Sequence, residues 1–393
     1  MWFLFIFFLL ASHCFSMEVN FHDFDAFQNK LSKDYVIEKI ANDLEYSPEI
    51  KQYFQVGEEA LLLFASPEDK DKGIVEYQLF FGEETPHSPE FKLNKPLSQA
   101  KIAIDPGHFG GDLARLEERY VEMNHEGEML FFDEGSLSFL TALHLKKKLE
   151  EEGASVFLTR QSIGKGAYPE NFFDWLKGHP EHWKKGGSLS TIFLRHYNRL
   201  DLRERAKIIN AYHPDLTIII HYNAIDSEQK NSQETKESKR NFNLVFIPGA
   251  FCKGELASPE DRYHFLRLLC SDDLESSFHI AHKLIETFTT HLQVSPLKSS
   301  KRKVSGFSNA LISESGIFRR NLCLTRLVKG PLCYGETLIQ NNLQEALALS
   351  KKETSIEGIP CSTRVVTVAE AYFEAISSFY ISSKQEKSLQ ESP

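Results

Sequence analysis

Two histidines lie just after short apolar runs, and one glutamate lies just before a segment with helical spacing. His108 follows KIAIDPG, His221 follows LTIII, and Glu134 lies just ahead of a segment whose apolar residues have helical spacing. In open α/β sheets, binding sites collect at the carboxyl ends of the strands. Two imidazoles and one carboxylate with an open fourth position are the ligand set of a catalytic zinc ion (Zn2+). The three residues are therefore candidate zinc ligands, although each of them alone is more typical of a structural or surface residue.

Strands and helices alternate from residue 101 onward, a pattern typical of an α/β sheet. The run LTIIIHYNA at 216–224 is apolar enough for a central parallel strand that is covered on both faces. We therefore predict a single twisted, mostly parallel sheet flanked by helices, with a small N-terminal α+β module. The predicted elements are strands at 101–105, 154–159 and 216–224, helices at 137–152, 202–213, 276–292 and 364–379, and a strand-turn-strand region at 321–336.

The chain divides into four predicted parts, of which the first is a signal peptide. The apolar run from Trp2 to Ala11 is too short to span a bilayer, which needs about 20 residues, but it suits the core of a secretory signal. The usual positive residues ahead of that core are missing, and a buried N-terminal strand or helix is the alternative. The predicted parts are the signal peptide 1–16, an N-terminal module 17–97, a catalytic domain 98–382 and a polar, irregular tail 383–393.

The N-terminal module carries no motif that indicates a chemistry. Its spacing of apolar residues predicts a helix at 24–44, and two apolar runs predict strands at 60–65 and 75–81. A module of this size can form a small α+β unit. What it binds is not predicted.

Composition excludes several classes of protein. The chain has 393 residues, of which 41% are hydrophobic and 25% charged, as in a folded soluble protein. Its net charge of −10 gives no general attraction to nucleic acid, and the basic stretches, such as 298–303, are short. Six cysteines without a CxxC pair fit neither a dense disulfide scaffold nor a zinc ribbon. A disulfide between Cys323 and Cys333 stays open.

Four segments occur in an order that resembles one family. They are IAIDPGHFGGD, DEGSLSFLTALHLKKKLEEEGASVFLTR, LRERAKIINAYHPDLTIIIHYNA and PLCYGETLIQNN. Together they resemble the zinc-dependent N-acetylmuramoyl-L-alanine amidases, the type 3 cell-wall amidases. The resemblance covers about residues 101–379 and leaves out the first 97 residues. Four matched segments in the right order are far more specific than any single histidine.

The resemblance assigns roles to four residues. His108, Glu134 and His221 match the zinc ligands of the family, and Glu336 matches its catalytic glutamate, six residues ahead of Asn342 as in the family. A carboxylate in that place can take a proton from the attacking water and pass it to the leaving amine, as amide hydrolysis requires.

The chain also departs from the family pattern. Gly135 stands where the family usually has lysine, Phe109 replaces a glycine, and the segment before Glu336 is less apolar than usual. Asp133 therefore remains a competing metal ligand.

Two aspartates near His108 are candidates for orienting its ring. Asp105 and Asp112 each lie close enough in sequence to accept a hydrogen bond from the imidazole of a metal-bound histidine. Each is equally typical of a turn beside proline or glycine.

Two insertions interrupt the alternation of strands and helices, at 163–194 and 226–256. The first predicts a lid, a glycan-contacting surface or a structural excursion. Its residues Trp175 and Trp183 suit stacking on sugar, although packing against other aromatic residues is the commoner role. Further histidines that are candidate metal ligands have no patterned carboxylate beside them, and we interpret them as solvated. They are His179, His182, His196 and His213.

These observations predict an exported zinc amidase that cuts the amide between N-acetylmuramic acid and L-alanine in peptidoglycan. Its expected location is the periplasm or the exterior, with no stable membrane insertion after signal cleavage and no nucleic-acid partner. A protein activator that relieves autoinhibition is an expected partner besides peptidoglycan. The alternatives are a zinc peptidase acting on the stem peptide and a catalytically degenerate wall-binding protein.

Overall fold

The computed structural model describes five stretches of the chain. They are residues 19–83, 95–184, 186–225, 235–299 and 309–390. The predicted signal peptide lies outside these stretches, and so does the end of the predicted tail. Within them, no helix is long and apolar enough to cross a membrane.

The helices and strands are numbered separately in chain order. The strands are β1 (Phe54–Val56), β2 (Ala60–Leu63), β3 (Tyr77–Phe80), β4 (Lys101–Pro106), β5 (Tyr120–His125), β6 (Glu128–Asp133), β7 (Ser155–Leu158), β8 (Leu216–Asn223), β9 (Leu244–Ile247), β10 (Ala310–Glu314), β11 (Ile317–Arg320), β12 (Leu332–Ile339), β13 (Thr354–Ile356) and β14 (Ile359–Cys361). The α-helices are α1 (Lys33–Lys39), α2 (Pro67–Lys72), α3 (Ala114–Glu117), α4 (Glu134–Glu151), α5 (Phe172–Gly178), α6 (Pro180–Lys184), α7 (Leu189–Ile192), α8 (Asn198–Tyr212), α9 (Pro259–Cys270), α10 (Asp273–Leu292), α11 (Cys323–Leu327), α12 (Leu343–Leu349) and α13 (Thr363–Gln390).

A seven-stranded sheet confirms the predicted fold class. Its strand order is β10-β11-β9-β12-β8-β4-β7, and only β10 with β11 and β12 with β9 pair antiparallel. Strand β8 is buried at every position, as its apolar run predicts. The carboxyl ends of β4, β8 and β12 therefore lie side by side at one edge of the sheet.

Each face of the sheet has its own apolar core. On one face, α4 packs on β4 and β8, α10 packs on β9 and β12, and α13 packs against both helices, with Leu140, Phe288 and Tyr372 fully or almost fully buried. On the other face, α8 and α11 pack on β4, β8 and β12 through Ile209 and Leu327. The helices predicted at 137–152, 202–213, 276–292 and 364–379 correspond to α4, α8, α10 and α13.

The N-terminal helix predicted at 24–44 is wrong, because the chain breaks there. A 3-10 turn (Phe21–Phe27) is followed by α1 and a π turn (Ile40–Leu44). Asn29 adopts a left-handed φ of 58°, and the Ser32 hydroxyl caps α1 by accepting a hydrogen bond from the Tyr35 amide at 3.3 Å. The two predicted strands are present as β2 and β3, and β1 joins them in an antiparallel sheet.

The N-terminal module shares its hydrophobic core with α9. The ring centroids of Phe24 and Tyr263 are 5.0 Å apart, and those of Phe54 and Phe265 are 5.2 Å apart. The Arg262 guanidinium also donates to the Glu76 carboxylate, with distances of 2.6 and 2.8 Å. The boundary predicted at residue 97 therefore does not separate two independent cores.

Three further predictions differ from the structure. The region at 321–336 is a helix, α11, followed by β12, because the Thr325 hydroxyl accepts a hydrogen bond from the Leu322 amide and fixes a helical start. No disulfide joins the described cysteines, and the bond between Cys323 and Cys333 that the sequence left open is not formed. The tail predicted from 383 onward is helical to Gln390, in keeping with its straight-chain helix-forming residues.

Candidate metal centre and active site

Three adjacent strands and one helix bring the predicted site residues together. His108 lies two residues beyond β4, and His221 lies near the end of β8. Glu336 of β12 is paired in register with His221, so the two side chains share a face of the parallel sheet. Glu134 is the first residue of α4.

Three ligand atoms converge on a single point. The Oε1 atom of Glu134 lies 3.1 Å from Nε2 of His108 and 2.9 Å from Nδ1 of His221. One ligand atom from each residue lies within 4.8 Å of the other two. Metal–ligand bonds of about 2.0–2.2 Å in a tetrahedral site place donors about 3.3 Å apart, so this set fits a small divalent metal ion.

Glu117, which the sequence analysis missed, orients the His108 ring. Its Oε1 lies 2.7 Å from Nδ1 of His108, and its Oε2 accepts a hydrogen bond from the Phe109 amide at 2.9 Å. This contact leaves Nε2 of His108 for a metal ion, as in carboxylate–histidine–metal arrangements. The helical turn of α3 brings Glu117 back to the histidine, a return that no sequence spacing indicates.

The two aspartates predicted to orient His108 do not contact its ring. Asp105 is fully buried and bonds the Thr159 hydroxyl and the Arg205 guanidinium. Asp112 is exposed in a turn ahead of α3. Both predictions are therefore wrong, because Glu117 already occupies the place beside the histidine.

Two buried arginines hold the backbone of the histidine loop. Arg160 donates to the carbonyl oxygens of Pro106, Gly107 and Phe109 at 2.9, 3.1 and 2.9 Å. Arg205 donates to the carbonyl oxygens of Pro106 and His108 at 2.8 and 3.2 Å. These bonds stabilise a loop in which His108 has a left-handed φ of 59°.

The start of α4 explains two departures from the family pattern. Asp133 caps the helix, since its carboxylate accepts hydrogen bonds from the Ser136 amide at 2.7 Å and the Ser136 hydroxyl at 2.8 Å. The ligand atoms that converge in this part of the chain belong to His108, Glu134 and His221 and do not include those of Asp133. A Cβ at Gly135 would lie 2.2 Å from the Gly110 amide nitrogen, which explains why no side chain fits there.

His221 is enclosed by its neighbours. The Tyr334 ring stacks on the imidazole with centroids 4.4 Å apart and an interplanar angle of 11°. A Cβ at Gly107 would lie 2.2 Å from Nε2 of His221, so only glycine lets the ring lie against that loop. Glu134 Oε1 also accepts the Tyr222 amide at 3.2 Å, which fixes the carboxylate beside the ring.

The charges at the centre suit metal binding. Burial opposes protonation of His108, but the carboxylates of Glu134 and Glu117 outweigh it and raise its pKa to about 9. Burial lowers the pKa of His221, so that ring is neutral near pH 7. Burial alone would raise the pKa of Glu134, but the two histidines hold it well below its usual range. Near pH 7, Glu134 is therefore an ionised carboxylate and His221 a neutral imidazole, whereas His108 carries an extra proton as an imidazolium.

Glu336 has a different environment from the three ligand residues. Its carboxylate forms no hydrogen bond with a described residue. Burial and the negative charge of Glu134 raise its pKa to about 8, against the effect of His108, Arg119 and Arg320. A β-bulge follows, where Leu338 has a left-handed φ of 58°. A carboxyl group with this pKa can both accept and release a proton near neutral pH.

The first insertion is a packed helical layer. Phe172, Trp175, Phe193 and Tyr197 form an apolar cluster with Phe109, whose ring centroid lies 5.1 Å from that of Phe193. Trp175 is therefore a core residue, whereas Trp183 is 56% exposed. The unusual Phe109 and the insertion are thus parts of one feature, since the phenyl ring anchors the layer beside His108.

The other histidines do not form a second metal centre within the described residues. Those of the first insertion lie around Trp175, with ring centroids 4.8 Å away for His179 and 5.2 Å away for His182. His196 lies 4.1 Å from His182, and His213 ends α8 in a left-handed conformation. In this part of the chain, His108, Glu134 and His221 are the one group of three that could hold a metal ion.

The fold and the site agree with one enzyme family. Residues 102–357 match the N-acetylmuramoyl-L-alanine amidase family, so the chain belongs to it. This confirms the resemblance carried by the four sequence segments.

Three known proteins are similar to parts of this chain. The chain is 31% identical over 134 residues to the germination-specific N-acetylmuramoyl-L-alanine amidase of Bacillus subtilis, a match that covers 34% of this chain and 43% of that relative. It is also similar to the solved CwlD amidase of Clostridioides difficile in complex with the GerS lipoprotein, with 18% identity and a TM-score of 0.43. That match covers 72% of this chain and 98% of the solved one. The solved structure of Ami1 of Mycobacterium smegmatis is 14% identical, with a TM-score of 0.42, and the match covers 73% of this chain and 100% of that one.

Proposed function

We propose that the chain is a zinc-dependent hydrolase that cleaves the amide between N-acetylmuramic acid and L-alanine in peptidoglycan. The observation that carries this proposal is the convergence of Glu134, His108 and His221 beside Glu336. The family of residues 102–357 supports the substrate class. The presence of all four groups in one place counts against a degenerate wall-binding protein.

The residues of the chain divide the work of amide hydrolysis. His108 Nε2, His221 Nδ1 and a Glu134 oxygen would hold the zinc ion. When bound, zinc polarises a carbonyl and lowers the pKa of water. Glu336 accepts the proton of the attacking water and delivers it to the departing alanine nitrogen. Burial and the charge of Glu134 raise the pKa of Glu336 in the metal-free chain, the direction that favours the protonated form needed in the second of these steps.

Analysis of the products distinguishes the amidase from the alternative activities. Purified muropeptides incubated with the zinc-loaded chain should release an intact stem peptide with L-alanine at its amino terminus. The released peptide is identified by mass spectrometry and by labelling of the new amine. Shortened stems left on intact sugars would instead show the zinc peptidase. Intact substrate after incubation with zinc-loaded protein would support the degenerate binding protein.

We also propose that the protein acts outside the cytoplasm, in the periplasm or as a secreted protein, after removal of residues 1–16. The apolar run from Trp2 to Ala11 supports export. N-terminal sequencing of protein from its native host should begin near Met17, and a sequence that begins at Met1 would contradict the proposal. A protein activator that relieves autoinhibition stays a prediction, tested by assaying hydrolysis with and without host envelope extract.

A further inference from the structure

An arginine beside the site has no partner of opposite charge within ion-pair distance among the residues that the structure describes. Arg119 follows α3 and directly precedes β5, and its residue surface is exposed. The hydrogen bond of its guanidinium is a long one, 3.4 Å, to the carbonyl oxygen of its neighbour Glu118. Among the described residues, Arg119 joins no ion pair. Its remaining donors bond no residue in the described part of the chain.

The hairpin places Arg119 opposite a proposed metal ligand. Tyr120 and Asp133 are the last paired residues of β5 and β6, and the next residues outward are Arg119 and Glu134. The Glu134 amide donates to the Arg119 carbonyl oxygen at 3.2 Å, which continues the ladder by one step. Arg119 therefore lies next to Glu134, at the point where the hairpin meets the start of α4.

The positive charge of Arg119 interacts with the carboxylates of the site. Desolvation opposes charging of the guanidinium, but the carboxylates of Glu134, Glu117 and Glu336 outweigh it and raise the pKa of Arg119. In return, Arg119 lowers the pKa of Glu336. The guanidinium is thus a permanent positive charge beside the groups that would act on the substrate.

A second arginine, Arg320, has a smaller lowering effect on the pKa of Glu336. Arg320 ends β11, and its guanidinium lies 5.1 Å from the centroid of the Phe246 ring. The Phe246 and Tyr334 rings, 6.0 Å apart, lie between it and His221. Arg320 is thus held on an aromatic ring, whereas Arg119 is not.

Charge complementarity indicates what Arg119 recognises. The net charge of −10 gives the chain as a whole no attraction for an anionic peptide stem, so a guanidinium beside the site is a local point of attraction. In a peptidoglycan stem, the first charged group beyond the scissile amide is the α-carboxylate of the γ-linked glutamate in second position. An extended chain advances about 3.5 Å per residue, so that carboxylate lies about 7 Å from the scissile carbon. A guanidinium fork binds a carboxylate through two parallel hydrogen bonds.

We propose that Arg119 binds the α-carboxylate of the second stem residue and so selects stems with a free carboxylate over stems in which it is amidated. This inference rests on the proposed amidase function and names a specificity determinant for it. Arg119 touches the substrate two residues from the bond that is cut. It takes no part in the proton transfers.

Two matched substrates test the proposal. N-acetylmuramoyl-L-alanyl-D-glutamate and its α-amide, the isoglutamine form, both with the γ-carboxyl group blocked as a methylamide, differ only in the group that Arg119 would bind. The unmodified enzyme should have the higher kcat/KM on the carboxylate form. Arg119→Gln should lower kcat/KM on that form by about 10- to 100-fold, as expected for a lost hydrogen bond to a charged group, and change the value on the amide by less than about threefold. Arg119→Lys should restore part of the preference.

A neighbouring arginine provides the control. Arg115 pairs with Glu122 at 2.9 Å and lies over the Tyr120 ring, so its guanidinium is already engaged. Arg115→Gln should leave both kcat/KM values unchanged. An equal loss on the two substrates in Arg119→Gln, with a shifted pH profile, would show that Arg119 only tunes Glu336 and would overturn the proposal. Equal rates on both substrates in the unmodified enzyme would also overturn it.

Binding separates this proposal from the amidase function. Calorimetry with the same two compounds on the zinc-loaded Glu336→Gln chain, with and without Arg119→Gln, measures recognition without turnover. Tighter binding of the carboxylate form that disappears with Arg119→Gln supports the proposal, and equal binding overturns it. If the unmodified chain cleaves neither compound nor larger muropeptides, the amidase function fails, and the calorimetry still decides the role of Arg119.

Discussion

The two halves of the site differ in how firmly the protein holds them. On the metal side, each ligand has a fixed neighbour: Glu117 holds His108, Tyr334 stacks on His221, and the Tyr222 amide bonds Glu134. On the other side, the Glu336 carboxylate forms no hydrogen bond with a described residue, although it is paired in register with His221. The ligands are therefore pre-positioned, whereas the group proposed to move protons has no hydrogen-bond partner among the described residues.

The largest effect should come from removing an imidazole on the fixed side. His221→Ala leaves two ligands for the metal ion, so we expect loss of most bound zinc and of all detectable hydrolysis. Metal content by atomic emission and activity on muropeptides check this. His213→Ala is the control, because His213 ends α8 without belonging to the three-ligand group. Stoichiometric zinc in the His108/His221 double alanine variant would contradict the assignment.

The next largest effect should come from the other half. Glu336→Gln keeps the volume of the side chain but cannot take up a proton, so kcat should fall by about 10²- to 10⁴-fold with zinc content unchanged. Glu336→Asp should retain part of the activity, limited by its shorter reach. Both values are measured on the same preparation. Full zinc with unchanged turnover would show that Glu336 is not the proton-transferring group.

A smaller effect should follow from loosening one fixed ligand. Glu117→Gln removes the charge beside Nδ1 of His108 and should weaken zinc affinity by about 10- to 100-fold, as for other groups that orient metal-bound histidines. Zinc titration against a chelator of known affinity measures the change. Glu118→Gln, on the adjacent exposed residue, should have no effect. An unchanged affinity in Glu117→Gln would make the contact merely structural.

The smallest expected change is with pH. The metal-free centre holds one proton on His108, whose pKa is about 9, while the pKa values of His221 and Glu134 are lowered. Zinc must displace that proton, so its affinity should rise about tenfold per pH unit between pH 7 and 8 and level off above 9. Calorimetry in buffers with different ionisation enthalpies should count one proton released per zinc bound. Release of no proton at pH 7 would contradict the raised pKa.

Much of the fold was predictable because its signals are local. The apolar run of β8 and the helical spacing of α4 indicate their own structure, and the family's segments identify the candidate ligands and Glu336. The contacts of Glu117 and Arg119 were not predictable, because they depend on the return of α3 and on the hairpin of β5 and β6. The broken helix at 24–44 was missed for a similar reason, since the turn at Asn29 interrupts an otherwise helical spacing.

The shared core of the N-terminal module and α9 has a consequence for how the protein is made. Residues of the first 83 positions pack on Phe251, Phe265 and Leu274, which the ribosome adds much later. At a synthesis rate of about 5–20 residues per second, the wait between residues 83 and 274 is about 10 to 40 s. During that time Phe24, Phe54 and their neighbours have no complete surface to pack against. The module comes first in the sequence, yet it is completed only after most of the sheet has been synthesised.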